Sequence, residues 1–181
     1  MKRWIVPGLA LLALWGGLRA QSPAAVPAHA RTVIVLRHAE KDPKGDPKDP
    51  GLSEAGSARA KALAALLAPS KPAHLYASEF QRSQKTLEPL ANALGLKVEV
   101  VPAGKAAELA QTLRGLPEGS VSVVAGHSNT VPALVEALGG KIEHLEKGML
   151  SESEYGRLFV LTLPPAGAGV ATSTLELAYG N

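Results

Sequence analysis

The 181-residue sequence contains no cysteine. A domain working outside the cytoplasm must then be held by its core, since disulfide staples are excluded. Thiol catalysis, Cys-ligated zinc and attachment of a lipid through an N-terminal cysteine are excluded with them. There is no Walker-type phosphate loop either: Gly104-Lys105 lacks the preceding glycine and the following hydroxyl, and no two histidines stand at the helical spacing of a metal-ligand pair. The apolar stretch from Trp4 to Trp15 is about 12 residues long and broken by Pro7 and Gly8, against the roughly 20 that a membrane-spanning helix needs.

That stretch follows Lys2 and Arg3 and precedes Leu18-Arg19-Ala20, the order of charge, apolar run and small residue of a secretory signal. We expect residues 1–20 to be a signal peptide, with cleavage after Ala20 favoured over an uncleaved anchor. The product is then exported, periplasmic or secreted, with no stable membrane insertion after cleavage. Removal of residues 1–20 takes away three of the 19 basic residues and none of the 16 acidic ones. The remaining chain is formally neutral, without the retained basic patch that a nucleic-acid partner would require. Its roughly 160 residues suit one domain with one sizeable core. Residues 21–31 are rich in Ala, Pro and Ser and read as a flexible lead-in, with the domain over residues 32–181.

From Thr32 the chain alternates. An apolar run (Val33 to Leu36) is followed by a helical stretch (Glu54 to Ala68), a short apolar run (Ala73 to Ala77) and a second helical stretch (Phe80 to Leu94). A weak strand at Lys97 to Val101, a short helix near Lys105 to Arg114, a strong strand at Val121 to Ala125 and a helix at Thr130 to Leu138 continue the rhythm. Such alternation implies an α/β three-layer sandwich with a mostly parallel sheet. The tail differs: Arg157 to Leu163 and Thr172 to Ala178 flank a Pro/Gly-rich turn and predict a terminal antiparallel hairpin. Ser53 is expected to cap the first helix, and Ser78 with Gln81 makes a capping-box pattern before the second. In the first helix Leu63, Leu66 and Leu67 share a face, with Arg59 and Lys61 toward water. Pro89 should kink or end the second helix near Glu88.

Chemistry concentrates where strands end. The first strand runs into Arg37-His38-Ala39-Glu40, and Val121 to Ala125 runs through Gly126, which permits a tight turn, into His127-Ser128-Asn129 and a helix start. In open α/β sheets ligands gather at the carboxyl ends of strands, and a helix N-terminus offers N–H groups to an anion. Arg82 falls about one turn into the helix after the third such strand. Two arginines and two histidines then converge on one point, a set suited to phosphate: a guanidinium presents a fork to two oxygens, and a neutral histidine is a nucleophile.

The segments Thr32 to Glu40 (TVIVLRHAE), Leu52 to Gly56 (LSEAG), Ser78 to Thr86 (SEFQRSQKT), Val123 to Asn129 (VVAGHSN) and Tyr155 to Leu163 (YGRLFVLTL) resemble, in order, those of the histidine phosphatase (phosphoglycerate mutase-like) superfamily. The short length is most similar to its small bacterial exported branch. The resemblance implies His38 as nucleophile, Arg37, Arg82 and His127 as the phosphate pocket, a phosphohistidine intermediate, and no metal or other cofactor. Ala39 stands where many members have glycine. Ser128 stands where the acid-phosphatase and phytase branch has aspartate, so that branch's proton donor is missing.

The general acid is left open among Glu108, whose place in the order favours it, Glu79 and water. Glu40 either orients Arg37 or is solvated. Ser128 and Asn129 read first as helix caps and second as phosphate ligands. His74 and His144 have no partner pattern. The loop Lys41 to Gly51 is expected to be solvated and to rim the pocket, with the segment Lys141 to Glu154 doing the same from the other side. The substrate expected is a small phosphoester or envelope phosphosugar. A phosphohistidine protein, a mutase of the same fold and a noncatalytic phosphate-binding module are the rivals. The whole reading requires the two imidazoles to lie within roughly 10 Å of each other.

Overall fold

The computed structural model describes residues 29–180. The expected signal over residues 1–20 and most of the lead-in lie outside the described residues. Ten elements alternate in the chain: β1 (Arg31–Arg37), α1 (Glu54–Leu67), β2 (His74–Ala77), α2 (Gln81–Leu94), β3 (Val98–Val100), α3 (Ala106–Gly115), β4 (Val121–Gly126), α4 (Thr130–Ala137), β5 (Arg157–Leu163) and β6 (Ser173–Ala178). A 3₁₀ turn over Ala68–Ser70 extends the end of α1.

The strands form one sheet in the order β3-β2-β4-β1-β5-β6. The first four in that order run parallel, while β5 pairs antiparallel with β1 and β6 antiparallel with β5. β1 shows why a continuous apolar run was needed. Val33 and Val35 enter the core beneath α3 and α4, and Ile34 and Leu36 enter the core beneath α1 and α2. A strand covered on both faces has no solvent face to be polar on, and burying such side chains is worth about 1.5–3 kcal/mol each. The result is the expected three-layer sandwich with its C-terminal hairpin.

Three local expectations are corrected. α2 runs through Pro89 to Leu94, because Leu87, Leu90 and Ala91 on its inner face are buried and hold the last turn against the sheet. The missing N–H of Pro89 removes one bond, whereas that burial supplies several kcal/mol. Leu66 does not join Leu63 and Leu67 inside; it is 49% exposed. Arg59 turns away from open water to a bidentate pair with Glu40, Nη2 to Oε1 at 2.8 Å and Nε to Oε2 at 3.0 Å. Glu40 therefore neither orients Arg37 nor stands solvated.

Ser53 caps α1 as expected, accepting from the Gly56 N–H at 3.0 Å. The Leu52 to Gly56 motif also has a packing role. Ser53 N–H donates to the Glu40 carbonyl at 2.9 Å, and a Cβ at Gly56 would lie 2.2 Å from that same oxygen. α1 thus presses its first turn directly on the backbone that leaves His38. Gly56→Ala is expected to destabilise the fold by about 1–3 kcal/mol through overpacking against backbone. Chemical denaturation measures this against Gly104→Ala, where nothing lies within 4 Å; equal stabilities of the two variants would refute the packing role.

Candidate active site

The register of the three central strands builds the site. Leu36 of β1 and Ala77 of β2 both stand beside Ala125 of β4. Ser78, one residue further out, and His38 and His127, two residues further out, therefore leave neighbouring strands at one edge. His38 N–H donates to the Gly126 carbonyl at 2.9 Å and Ser78 N–H to the Ala125 carbonyl at 3.3 Å, extending the ladder into the site. The two imidazole centroids are 5.2 Å apart with planes at 65°, well inside the limit set by the sequence reading.

Gly126 is required for a reason other than a tight turn. A Cβ there would fall 2.7 Å from Thr130 Oγ1, the hydroxyl that accepts the His127 N–H at 2.8 Å. The missing side chain lets α4 start close beneath His127. Asn129 occupies the N-cap position of α4 without a side-chain capping bond, and Ser128 bonds outward to Glu152. Both line the cleft rather than cap the helix.

His38 is 4% exposed. Its Nδ1 lies 2.7 Å from the Ala39 carbonyl, which only accepts, so Nδ1 carries the proton and Nε2 keeps its lone pair. Arg82 Nε–H donates to that Nε2 at 3.2 Å. Burial, and then the nearby His127, Arg37 and Arg82, lower the His38 pKa to about 4, against the pull of the Ala39 hydrogen bond. Burial and the Arg82 charge bring His127 to about 4 as well, opposed by Glu79. Both rings are neutral at physiological pH.

Arg37 is caged. Its Nη1 donates to the Ser151 carbonyl at 2.8 Å and the Glu154 carbonyl at 3.4 Å, and its Nη2 donates to Glu152 Oε2 at 2.8 Å. The Tyr155 ring packs 4.3 Å from its guanidinium carbon. Of its three nitrogens only Nε is without a partner, and it is buried, a cost that a bound anion would relieve.

The sequence motifs named Ser78 as a helix cap, but Phe80 holds the N-cap position of α2. Ser78 Oγ instead bonds Ser83 Oγ and His127 Nε2, each at 2.8 Å, and pins the ring. The cap comes from the loop after β1: Asp49 Oδ1 accepts from the Gln81 N–H at 2.9 Å and lies 3.9 Å from Arg82 Nη1. Thr86, one turn beyond Arg82, accepts the Ala39 N–H at 2.9 Å and ties α2 to the segment that carries His38.

A cleft of about 300 Å³ opens above these groups, lined by Arg37, His38, Arg82, His127, Ser128, Asn129, Lys41, Phe80, Ala103, Thr130 and Glu152. The structure brings every expected phosphate-binding residue to this wall. It does not bring Glu108, which projects from the first turn of α3, exposed and paired with Lys105. Glu79 does not line the cleft either, and accepts the Ala103 N–H at 2.8 Å. Glu152 was missed as an individual residue, although its segment was expected to rim the pocket. His74 stacks on Tyr76 and His144 is exposed, both outside the cleft. Among the described residues no group of three or more His, Asp or Glu side chains is placed to hold a metal ion.

A family model of the histidine phosphatase superfamily (branch 1) matches residues 33–105, which carry Arg37, His38 and Arg82. Over that stretch, less than half of the sequence, the chain is similar to the histidine phosphatase superfamily. Among solved structures, the protein histidine phosphatase SixA complexed with tungstate is 22% identical, with a TM-score of 0.61 over 81% of this chain and 96% of that one. A mycobacterial glucosyl-3-phosphoglycerate phosphatase is 20% identical, with a TM-score of 0.59 over 74% and 91%. A mycobacterial hydrolase is 18% identical, with a TM-score of 0.61 over 84% and 99%. At these identities the likeness is one of fold. No curated protein matches the sequence.

The buried neutral imidazoles give a direct check. In an NMR titration of the apo protein, the His38 and His127 rings should stay neutral through pH 6 and take up protons near pH 4. Between about pH 6.5 and 4 the unfolded chain binds protons that the native rings refuse, so stability falls as pH falls through that window. Either ring titrating near 6.5 would overturn the assigned environment.

Proposed function

We propose that the protein is an exported, metal-independent phosphomonoesterase acting through a phosphohistidine intermediate on a small phosphoester or envelope phosphosugar. The observation that carries this is the unprotonated Nε2 of His38, held toward Arg82 at the floor of a cleft that also presents Arg37 and His127. The leader read in residues 1–20 supports export.

Two displacements at phosphorus account for turnover. His38 Nε2 attacks in line; the N–P bond forms as the bond from phosphorus to the leaving oxygen breaks. Arg37 Nε, the Arg82 guanidinium and His127 stabilise charge on the three equatorial oxygens, where preorganised donors act most strongly. Arrival of the substrate draws Arg82 from His38 to phosphate and uncovers the nucleophile. The departing oxygen takes its proton from water, because Glu152, the carboxylate on the cleft wall, is held ionised by its partners. A second water then attacks phosphorus and gives a proton to the hydroxide left by the first, the N–P bond breaks, and neutral His38 returns with release of inorganic phosphate.

His38→Ala should abolish release of phosphate from a panel of phosphoesters. Arg82→Ala and His127→Ala should each lower it by about 10²- to 10³-fold. Wild-type turnover should persist in excess chelator. Near-normal activity in purified His38→Ala would end the assignment. An isomerised rather than dephosphorylated phosphosugar would indicate a mutase, phosphate binding without release a binding module, and exclusive action on a phosphohistidine protein a protein phosphatase.

A further inference from the structure

The floor of the cleft recognises phosphate and is indifferent to what the phosphate is attached to. Choice among substrates must come from the rim, where Glu152 is the acidic group. Its carboxylate is fixed on two sides: Oε2 accepts from Arg37 Nη2 at 2.8 Å and Oε1 accepts from Ser128 Oγ at 3.0 Å. The segment is anchored as well, since Leu150 N–H donates to the Ser128 carbonyl at 2.9 Å and Ser151 and Glu154 lend their carbonyls to Arg37. The Glu152 side chain is nonetheless 73% exposed, against 3% for Arg37, so the remaining lone pairs of its oxygens face the cleft and its water.

Charge makes this position selective. With both histidines neutral, the wall carries three cations, Arg37, Arg82 and Lys41, and one carboxylate. Their balance offsets a phosphoryl dianion and leaves no surplus for a second anion on the leaving group. Lys41 is the candidate exception, but its side chain has no hydrogen bond or ion pair to hold it among the described residues, whereas Glu152 is held at both oxygens. Partial burial acts against the Glu152 charge. The Ser128 hydrogen bond and the Arg37 and Lys41 charges outweigh it and keep the carboxyl ionised.

Resting on the phosphatase reading, we propose that Glu152 is a specificity-determining residue that admits phosphoesters whose leaving group bears a hydroxyl beside the ester and rejects those bearing a carboxylate there. A hydroxyl donates to a free Glu152 lone pair, while a carboxylate meets a like charge that cannot withdraw without uncovering Arg37 and Ser128. Discrimination built on a repulsive group is lost when that group is neutralised.

2-Hydroxyethyl phosphate and phosphoglycolate test this, because they differ only in a hydroxymethyl against a carboxylate on the carbon that bears the ester. Calorimetric dissociation constants for both are measured in the His38→Ala background, which cannot consume them, with position 152 left wild type or changed by Glu152→Gln or Glu152→Lys. With Glu152 in place the hydroxyl compound should bind at least about tenfold more tightly. Glu152→Gln should bring that ratio near one, and Glu152→Lys should invert it. A ratio near one with Glu152 in place, or a ratio unmoved in whichever variants fold, overturns the proposal, since a merely structural loss weakens both compounds alike. Release of phosphate from p-nitrophenyl phosphate is recorded in parallel. Its absence in wild type would sink the hydrolytic reading while leaving the binding ratio to be read.

Discussion

The hydrogen-bond register of β2, β4 and β1 is the constraint on which the rest depends. Parallel strands share one carboxyl edge, and the pairing of Ala125 with both Leu36 and Ala77 fixes which residues emerge together. Slipping any of the three by one position would send its emerging side chain to the opposite face. The bond from His38 N–H to the Gly126 carbonyl therefore does more than continue a sheet. It sets the distance between two imidazoles that lie far apart in the chain.

Burial sets the chemistry. Enclosing two histidines beside arginines costs the charged form of the imidazole and leaves the neutral form as the native one. That is the state in which Nε2 of His38 retains a lone pair, so fold stability and nucleophilicity have one origin. The arginines are treated differently. Arg37 spends both terminal nitrogens on the chain that follows α4 and keeps only Nε uncommitted, whereas Arg82 leans on the nucleophile itself. One cation is a fixed wall, the other a group whose hydrogen bond to His38 must be given up before it can meet an anion.

Sequence reasoning recovered what hydrophobic periodicity and strand-end position control. The strands, the helices and the meeting of Arg37, His38, Arg82 and His127 follow from apolar runs ending in polar residues. What it could not recover depends on partners distant in the chain. Ser78 fits a capping box by spacing, yet the cap is supplied by Asp49 from another loop, which frees Ser78 for His127. Glu40 stands next to Arg37 in order but faces Arg59 in space. Pro89 carried a local penalty that buried neighbours outweigh. Glu108 occupied a fitting place in the order of elements, but α3 turns it to solvent. In each case a local or ordinal rule competed with a tertiary contact, and the contact won.

Floor and rim are therefore built by different rules. The floor hangs from strand ends whose positions the sheet dictates, which is why short motifs were enough to find it. The rim comes from the excursions after β1 and α4, whose course no periodicity specifies, and there the side chains nearest a leaving group are found: Lys41, Ser128 and Glu152. Yet the rim is not independent of the floor. Glu152 reaches the cleft by gripping Arg37, so the residue proposed to grade the leaving group also completes the cage of a cation on the cleft floor. Substitution there alters selectivity and anion affinity together, which couples any change of substrate to the integrity of the pocket beneath it.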